Sequence, residues 1–197
     1  MEKYVIIDNG HGCDTCGKCC PDGKVKEWEW TREAARKLHR KLAEKGIESV
    51  LLVPEERDIS LRERCARANA LWLRHRNAVL VSLHSNASGN GSEWGDANGW
   101  SVFIARNASR ESQMLARCLF RRASDHNLLG NRFSPPELFN RANLAICRDT
   151  RCPAVLTENM FHDNRADAAF LASPEGIETI VALHAQGIDD YFNLRTT

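Results

Sequence analysis

The chain has 197 residues, 27 of them basic and 26 acidic, for a net charge of +1. That balance provides no broad field for nucleic acid or anionic lipid, so a nucleic-acid partner is not expected. No apolar run approaches the roughly 18 residues of a membrane span, which excludes membrane insertion as a reading, and the length suits one buried core, a single domain over residues 1–197.

The signals run strand, helix, strand, helix, strand, the order of a mainly parallel sheet with helices on its faces. A first strand over about Lys3 to Ile7 leads into a loop rich in Gly, Cys and Asp that reaches about Lys26. A helix follows from Trp28 or Thr31, with Ala35, Leu38 and Leu42 on one face, and stops at Gly46. Glu48 to Val53 reads as the second strand. Ser60-Leu61-Arg62-Glu63 is a capping box that opens a helix ending near Arg76.

The third strand, Ala78 to Leu83, opens into a Gly- and Ser-rich loop at Ser88 to Ser92, placed to border a cleft, before Trp100 to Ala105 resumes a strand pattern. A helix over about Ser109 to Ser124 and an irregular Pro-containing stretch lead to a short strand at about Leu144 to Cys147. Pro153 opens a strand ending at Glu158. Ser173-Pro174-Glu175 starts the last helix, whose buried stripe includes Ile177, Ile180, Val181, His184 and Ile188. The expected fold is α/β: one twisted, mostly parallel or mixed sheet of about six strands flanked by helices.

Three of the strands end on residues that carry chemistry: Asp8-Asn9-Gly10-His11 after the first, Ser82-Leu83-His84 after the third, and Glu158 after the strand from Ala154. As neighbours in an open α/β sheet their carboxyl ends share the edge where such sheets hold ligands. A catalytic zinc takes three protein ligands and leaves a position open for water. His11 and His84 form the obvious pair, and the third ligand is Glu27 or Glu29, which stand where the long loop becomes a helix. In an extended segment both would point the same way, so spacing leaves the two open. Glu158 has the placement of the base that takes a proton from water and hands it to a leaving amine.

These residues carry a resemblance. Asp8-Asn9-Gly10-His11-Gly12, the glutamate before the first helix, Ser82-Leu83-His84-Ser85-Asn86-Ala87 and Pro153-Ala154-Val155-Leu156-Thr157-Glu158 resemble the zinc-dependent N-acetylmuramoyl-L-alanine amidases of the amidase_3 type. Asp58 to Arg64, Ala68-Asn69, Gly99 to Phe103 and Phe161 to Asn164 fall in the family's order, so the likeness covers nearly the whole chain. It implies an amidase_3-like fold, one catalytic Zn2+ held by His11, Glu27 and His84, and Glu158 as the catalytic acid/base. Glu27 is preferred over Glu29 by its distance from helix positions that Ala35 and Leu38 fill. The implied reaction is hydrolysis of the amide between N-acetylmuramic acid and L-alanine, with peptidoglycan as substrate and partner and Asn86 a candidate substrate contact. Asn9 stands where the family usually has proline or alanine, which alters a turn and removes no ligand.

The resemblance also implies action on the cell wall. With no secretory signal legible at the start, the expectation is a phage-type lysin released from the cytoplasm, or a secreted enzyme whose leader has been removed. Rival readings are a silent peptidoglycan-binding module on the same fold and a zinc peptidase cutting another stem-peptide bond. A cysteine-based metal or redox protein is a further rival, resting on Cys13, Cys16, Cys19 and Cys20. Eight cysteines are present. Those four are expected to be free or loop-stapling thiols rather than a second metal site, whereas Cys65 and Cys118 read as core residues.

Overall fold

Residues 3–131 and 135–195 are described by a computed structural model; the irregular stretch expected after Ser124 includes 132–134, which lie outside them. The strands β1 (Tyr4–Asn9), β2 (Glu48–Leu51), β3 (Ala78–Asn86), β4 (Ser101–Ala105), β5 (Asn140–Ala142) and β6 (Ala154–Phe161) form one sheet. Its order is β2-β1-β3-β6-β4-β5, with β2, β1, β3 and β6 mutually parallel and β4 pairing antiparallel to β6. This is the mixed α/β sheet expected. The central runs Val5-Ile6-Ile7, Val79-Leu80-Val81 and Ala154-Val155-Leu156 are apolar on both faces because both faces are covered.

One face is covered by α1 (Glu27–Glu44), α3 (Arg110–Asp125) and α6 (Pro174–Leu194), the other by α2 (Leu61–Arg74) and the short α4 (Ala145–Arg148). Helix α5 (Arg165–Ala172) packs between β6 and α6. In α1, Ala34, Ala35, Leu38 and Leu42 recur at helical spacing and are fully buried, each leucine contributing about 1.5–3 kcal/mol of burial. The helix stops at Gly46, whose φ of 68° is the left-handed turn glycine permits. Ser60 and Ser173 accept hydrogen bonds from Glu63 and Gly176 backbone N–H groups, so the caps legible in the sequence form, and Ser109 caps α3 in the same way by accepting from Ser112 N–H.

Two local expectations are corrected and one helix is added. Leu144 to Cys147 is not a strand: Leu144 precedes the turn of helix α4, which buries Ile146 and Cys147 against the α2 side. A short apolar run fits a strand or one helical turn equally, and the pairing strand lies just upstream at β5. Helix α5 went unread, although Asn164 caps it by accepting from the N–H groups of Ala166 and Asp167. Helix α1 begins at Glu27 rather than Trp28 or Thr31, and this shift decides the geometry of the site.

Side-chain alternation does the rest. On β1, Val5 and Ile7 face the α1–α6 core while Tyr4 and Ile6 face α2. The register pairs Asp8 with Ser82, Ser82 with Leu156, and His84 with Glu158. Paired residues share a face. His84 and Glu158 therefore emerge side by side, on the α2–α4 face, where the parallel strands end.

Candidate metal centre at the sheet edge

His11 follows β1, Glu27 opens α1 and His84 lies within β3. One nitrogen or carboxylate oxygen from each comes within 4.8 Å of the others. Glu27 is 1% exposed, its Oε1 3.0 Å from His84 Nδ1 and accepting from Ser85 N–H at 3.0 Å, its Oε2 3.4 Å from His11 Nε2. Glu29, two residues on, turns away and pairs with Lys26 at 3.1 Å. In a helix, two residues correspond to about 200° of rotation, so the ambiguity of an extended segment disappears.

His11 is held at φ 58°, a left-handed backbone that costs a non-glycine residue about 1–2 kcal/mol. Its carbonyl accepts from Arg32 Nη2 at 3.0 Å and Arg64 Nη2 at 3.2 Å, while Thr31 Oγ1 donates to the Gly10 carbonyl at 3.0 Å. Arg64 is buried, bonded also to Asp8 at 2.7 Å and Asp58 at 2.8 Å. Gly10 is required beside it: a Cβ there would stand 2.3 Å from the His84 ring. Thr31, Arg32, Arg64 and Ser85 thus position the site and were not assigned from sequence. The sequence signal for two of them is that Arg64 closes the Asp58 to Arg64 motif and Ser85 lies within Ser82 to Ala87.

Burial pushes the His11 imidazole down to about 4, against the pull of Glu27, and so keeps a neutral ring with a free lone pair. Burial alone would raise Glu27, but hydrogen bonding and charge from His84 and charge from His11 hold it below the usual carboxylate range. Burial would lower His84, yet the hydrogen bond and charge of Glu27 leave it raised. A metal cation bound by such a group displaces its protons.

Glu158 is different. No donor approaches its Oε2, and burial, with the Glu27 charge adding, pushes it up to about 7 despite the opposing His84 charge. Glu27 Oε2 is likewise buried without a hydrogen bond. Asn86 ends β3, its Oδ1 accepting from Ala87 N–H at 2.9 Å. His162 is buried, with Nδ1 2.9 Å from Ser85 Oγ, one residue from His84. A cavity of about 320 Å³ opens beside His11 and His84 and runs down the α2–α4 face past Ile59, Leu144, Ile146 and Leu156.

The cysteines form no second cluster. Among the described residues, His11, Glu27 and His84 are the one set of three or more donors close enough to share a metal ion. Cys13 and Cys16 are exposed thiols, and Cys20 is buried, accepting from Val25 N–H and donating to Asp22. Cys65 and Cys118 lie in the core as expected.

Comparison with known proteins follows the same outline. The profile of the Amidase_3 family, described as N-acetylmuramoyl-L-alanine amidase, matches residues 5–190. The endolysin of Bacillus phage SPP1 is 25% identical over 197 residues, covering 99% of this chain and 68% of the endolysin. N-acetylmuramoyl-L-alanine amidase CwlM of Bacillus licheniformis is 26% identical over 195 residues, covering 96% of this chain and 69% of CwlM. Among solved structures, an N-acetylmuramoyl-L-alanine amidase from Clostridium difficile 630 superposes with a TM-score of 0.84 at 25% identity, covering 98% of this chain and 97% of that one.

Proposed function

The chain belongs to the Amidase_3 family of N-acetylmuramoyl-L-alanine amidases, enzymes of peptidoglycan hydrolysis, and from that premise we propose that it cuts the amide between N-acetylmuramic acid and L-alanine with one zinc ion held by His11, Glu27 and His84. The observation that carries the metal is the donor set itself. Two imidazoles and a carboxylate converge within 4.8 Å, and a carboxylate oxygen buried at that spot, Glu27 Oε2, has no hydrogen-bond donor. Two nitrogens and one oxygen, with a side left open to a cavity, suit a catalytic zinc. Glu29, exposed and paired with Lys26, has no part in it.

Zinc bound there supplies Lewis acidity, polarising the scissile carbonyl and bringing the pKa of water toward about 7. The protein supplies the proton path. Glu158 stands opposite His84 in the register, and its carboxyl, poised at about 7, takes a proton from the attacking water as carboxylate and returns it to the alanine nitrogen as acid. Its environment suits that double role because no hydrogen-bond donor holds its buried Oε2 in the ionised state. Arg32 and Arg64 fix the backbone on which His11 sits, and Ser85 N–H orients the Glu27 carboxylate, so the ligand cage is set before substrate arrives.

The reading places the protein's work at the cell wall, in keeping with relatives named as an endolysin and a probable cell wall amidase. No helix among the described residues is long and apolar enough to cross a membrane. The test is a digest of purified peptidoglycan by protein stripped with a chelator, before and after zinc is restored. Stem peptides with a free L-alanine amine, appearing only with zinc, are the expected product. Cleavage inside the stem would make it a zinc peptidase, and zinc binding without cleavage would make it a silent wall-binding module.

A further inference from the structure

Glu158 has a different neighbour on each side. On β3 it faces His84, which lines the 320 Å³ cavity; on β4 it faces Ser101, which lines a second cavity of about 400 Å³. Each cavity is thus lined by a residue paired with Glu158 on a neighbouring strand, its Cα about 5 Å from that of Glu158. The sheet continues one row lower as Leu156, Phe103 and Asn140, so the second cavity has its floor on β4 and β5.

The two differ in chemistry. The first is walled by Ile59, Leu61, Leu144, Ala145, Ile146 and Leu156, and its charges, Asp8, Asp58 and Arg64, are bonded to one another. A hydroxyl-rich ligand there would leave its polar groups unpaired, at a cost of about 1–3 kcal/mol for each one buried. The second presents Asn86, Ser88, Ser101 and Asn140 around the half-buried ring of Phe103. Asn86 Oδ1 accepts from Ala87 N–H, Ser88 Oγ donates to Asp163 and Asn140 Nδ2 reaches the Val102 carbonyl. The groups offered to a ligand are therefore the Asn86 amide N–H, the Asn140 Oδ1 and the Ser101 hydroxyl, donors and acceptors of the kind that sugar hydroxyls and an acetamide require, beside an aromatic face that packs on the C–H bonds of a pyranose.

We propose that substrate lies across Glu158 in one direction: the N-acetylmuramoyl sugar occupies the Asn86–Ser101–Phe103–Asn140 cavity, and the peptide leaves past the apolar cavity with its L-alanine methyl against that wall and its polar groups toward solvent. The assignment rests on the amidase reading and names the part of the substrate each side takes. Phe103 and Asn140 become specificity-determining residues, neither touching the reacting atoms.

The test uses the zinc-loaded full chain. Side-chain amide signals of Asn86 and Asn140 are followed by NMR during titration with N-acetylmuramic acid, and separately with L-alanyl-D-glutamate. The sugar is expected to shift both signals, and Phe103→Ala to weaken its binding about tenfold. In turnover, Phe103→Ala is expected to lower kcat/KM about tenfold more for a muramyl peptide than for the same peptide carrying only the lactyl group, with the difference in KM. Shifts caused by the dipeptide instead, or equal losses on both substrates, would overturn the orientation. Sugar binding at Asn140 by a wild-type protein that cleaves neither substrate would keep the subsite and remove the amidase reading.

Discussion

Thr157 and Glu158 are consecutive on β6 and point to opposite faces of the sheet, and the surroundings of these two side chains treat their polar atoms in opposite ways. Thr157 turns toward α6, where its hydroxyl lies 3.0 Å from His184 Nε2 and 3.1 Å from the Asn159 amide, and His184 Nδ1–H donates to the Ile180 carbonyl at 2.7 Å. Every polar atom of that pair is used. Glu158 turns toward the cleft and keeps an unbonded buried oxygen, as does Glu27 nearby. A saturated polar network in a core specifies structure; an unsaturated one at a sheet edge is set up for a partner.

The largest effect should come from breaking the unsaturated side. Glu158→Gln is expected to lower kcat by about 10³-fold, while zinc content and thermal stability hold, measured by turnover, metal analysis and melting. Parallel loss of zinc would make Glu158 a ligand instead. Glu27→Ala is expected to weaken zinc binding by at least about 100-fold in a competition titration, with activity recovering in excess zinc. The two substitutions thus separate the roles of two carboxylates that a composition count cannot tell apart.

On the saturated side the expectation concerns stability. Burial pushes His184 down to about 4 from an ordinary value of 6.5, so the unfolded chain binds more protons between these values. Stability from keeping it neutral is full above about pH 6.5 and is lost as pH falls toward about 4, a change of about 3 kcal/mol. Urea unfolding of wild type and His184→Gln at pH 7 and pH 4.5 should show the wild type losing its advantage at the lower pH. A constant gap would mean that His184 titrates normally. The smallest effect belongs to Glu29→Gln, which should change zinc affinity and turnover less than about twofold, since its partner is an exposed lysine.

Much of this was legible in the sequence because the informative residues end strands. Alternation and apolar runs locate β1, β3 and β6, and once they are neighbours their last residues must share an edge. The choice between Glu27 and Glu29 was not legible from geometry, because it turns on where α1 begins. Lys26 offers no side-chain cap to mark the start, so the sequence leaves the helix start open between Trp28 and Thr31 and gives no sign that Glu27 is already helical. Arg32 and Arg64 escaped for another reason: a charged residue on a helix reads as exposed until the fold brings a carbonyl and two carboxylates to it. Leu144 to Cys147 was misread because four apolar residues contain too little period to distinguish a turn of helix from a strand.

The most direct test of the division between the two glutamates is diffraction from zinc-soaked crystals at the zinc absorption edge. A single strong anomalous peak at about 2 Å from donor atoms of His11, Glu27 and His84, with Glu158 facing it but not bound, is the predicted result. A peak on the Cys13–Cys20 loop, or a zinc ligated by Glu158 in place of Glu27, would contradict it.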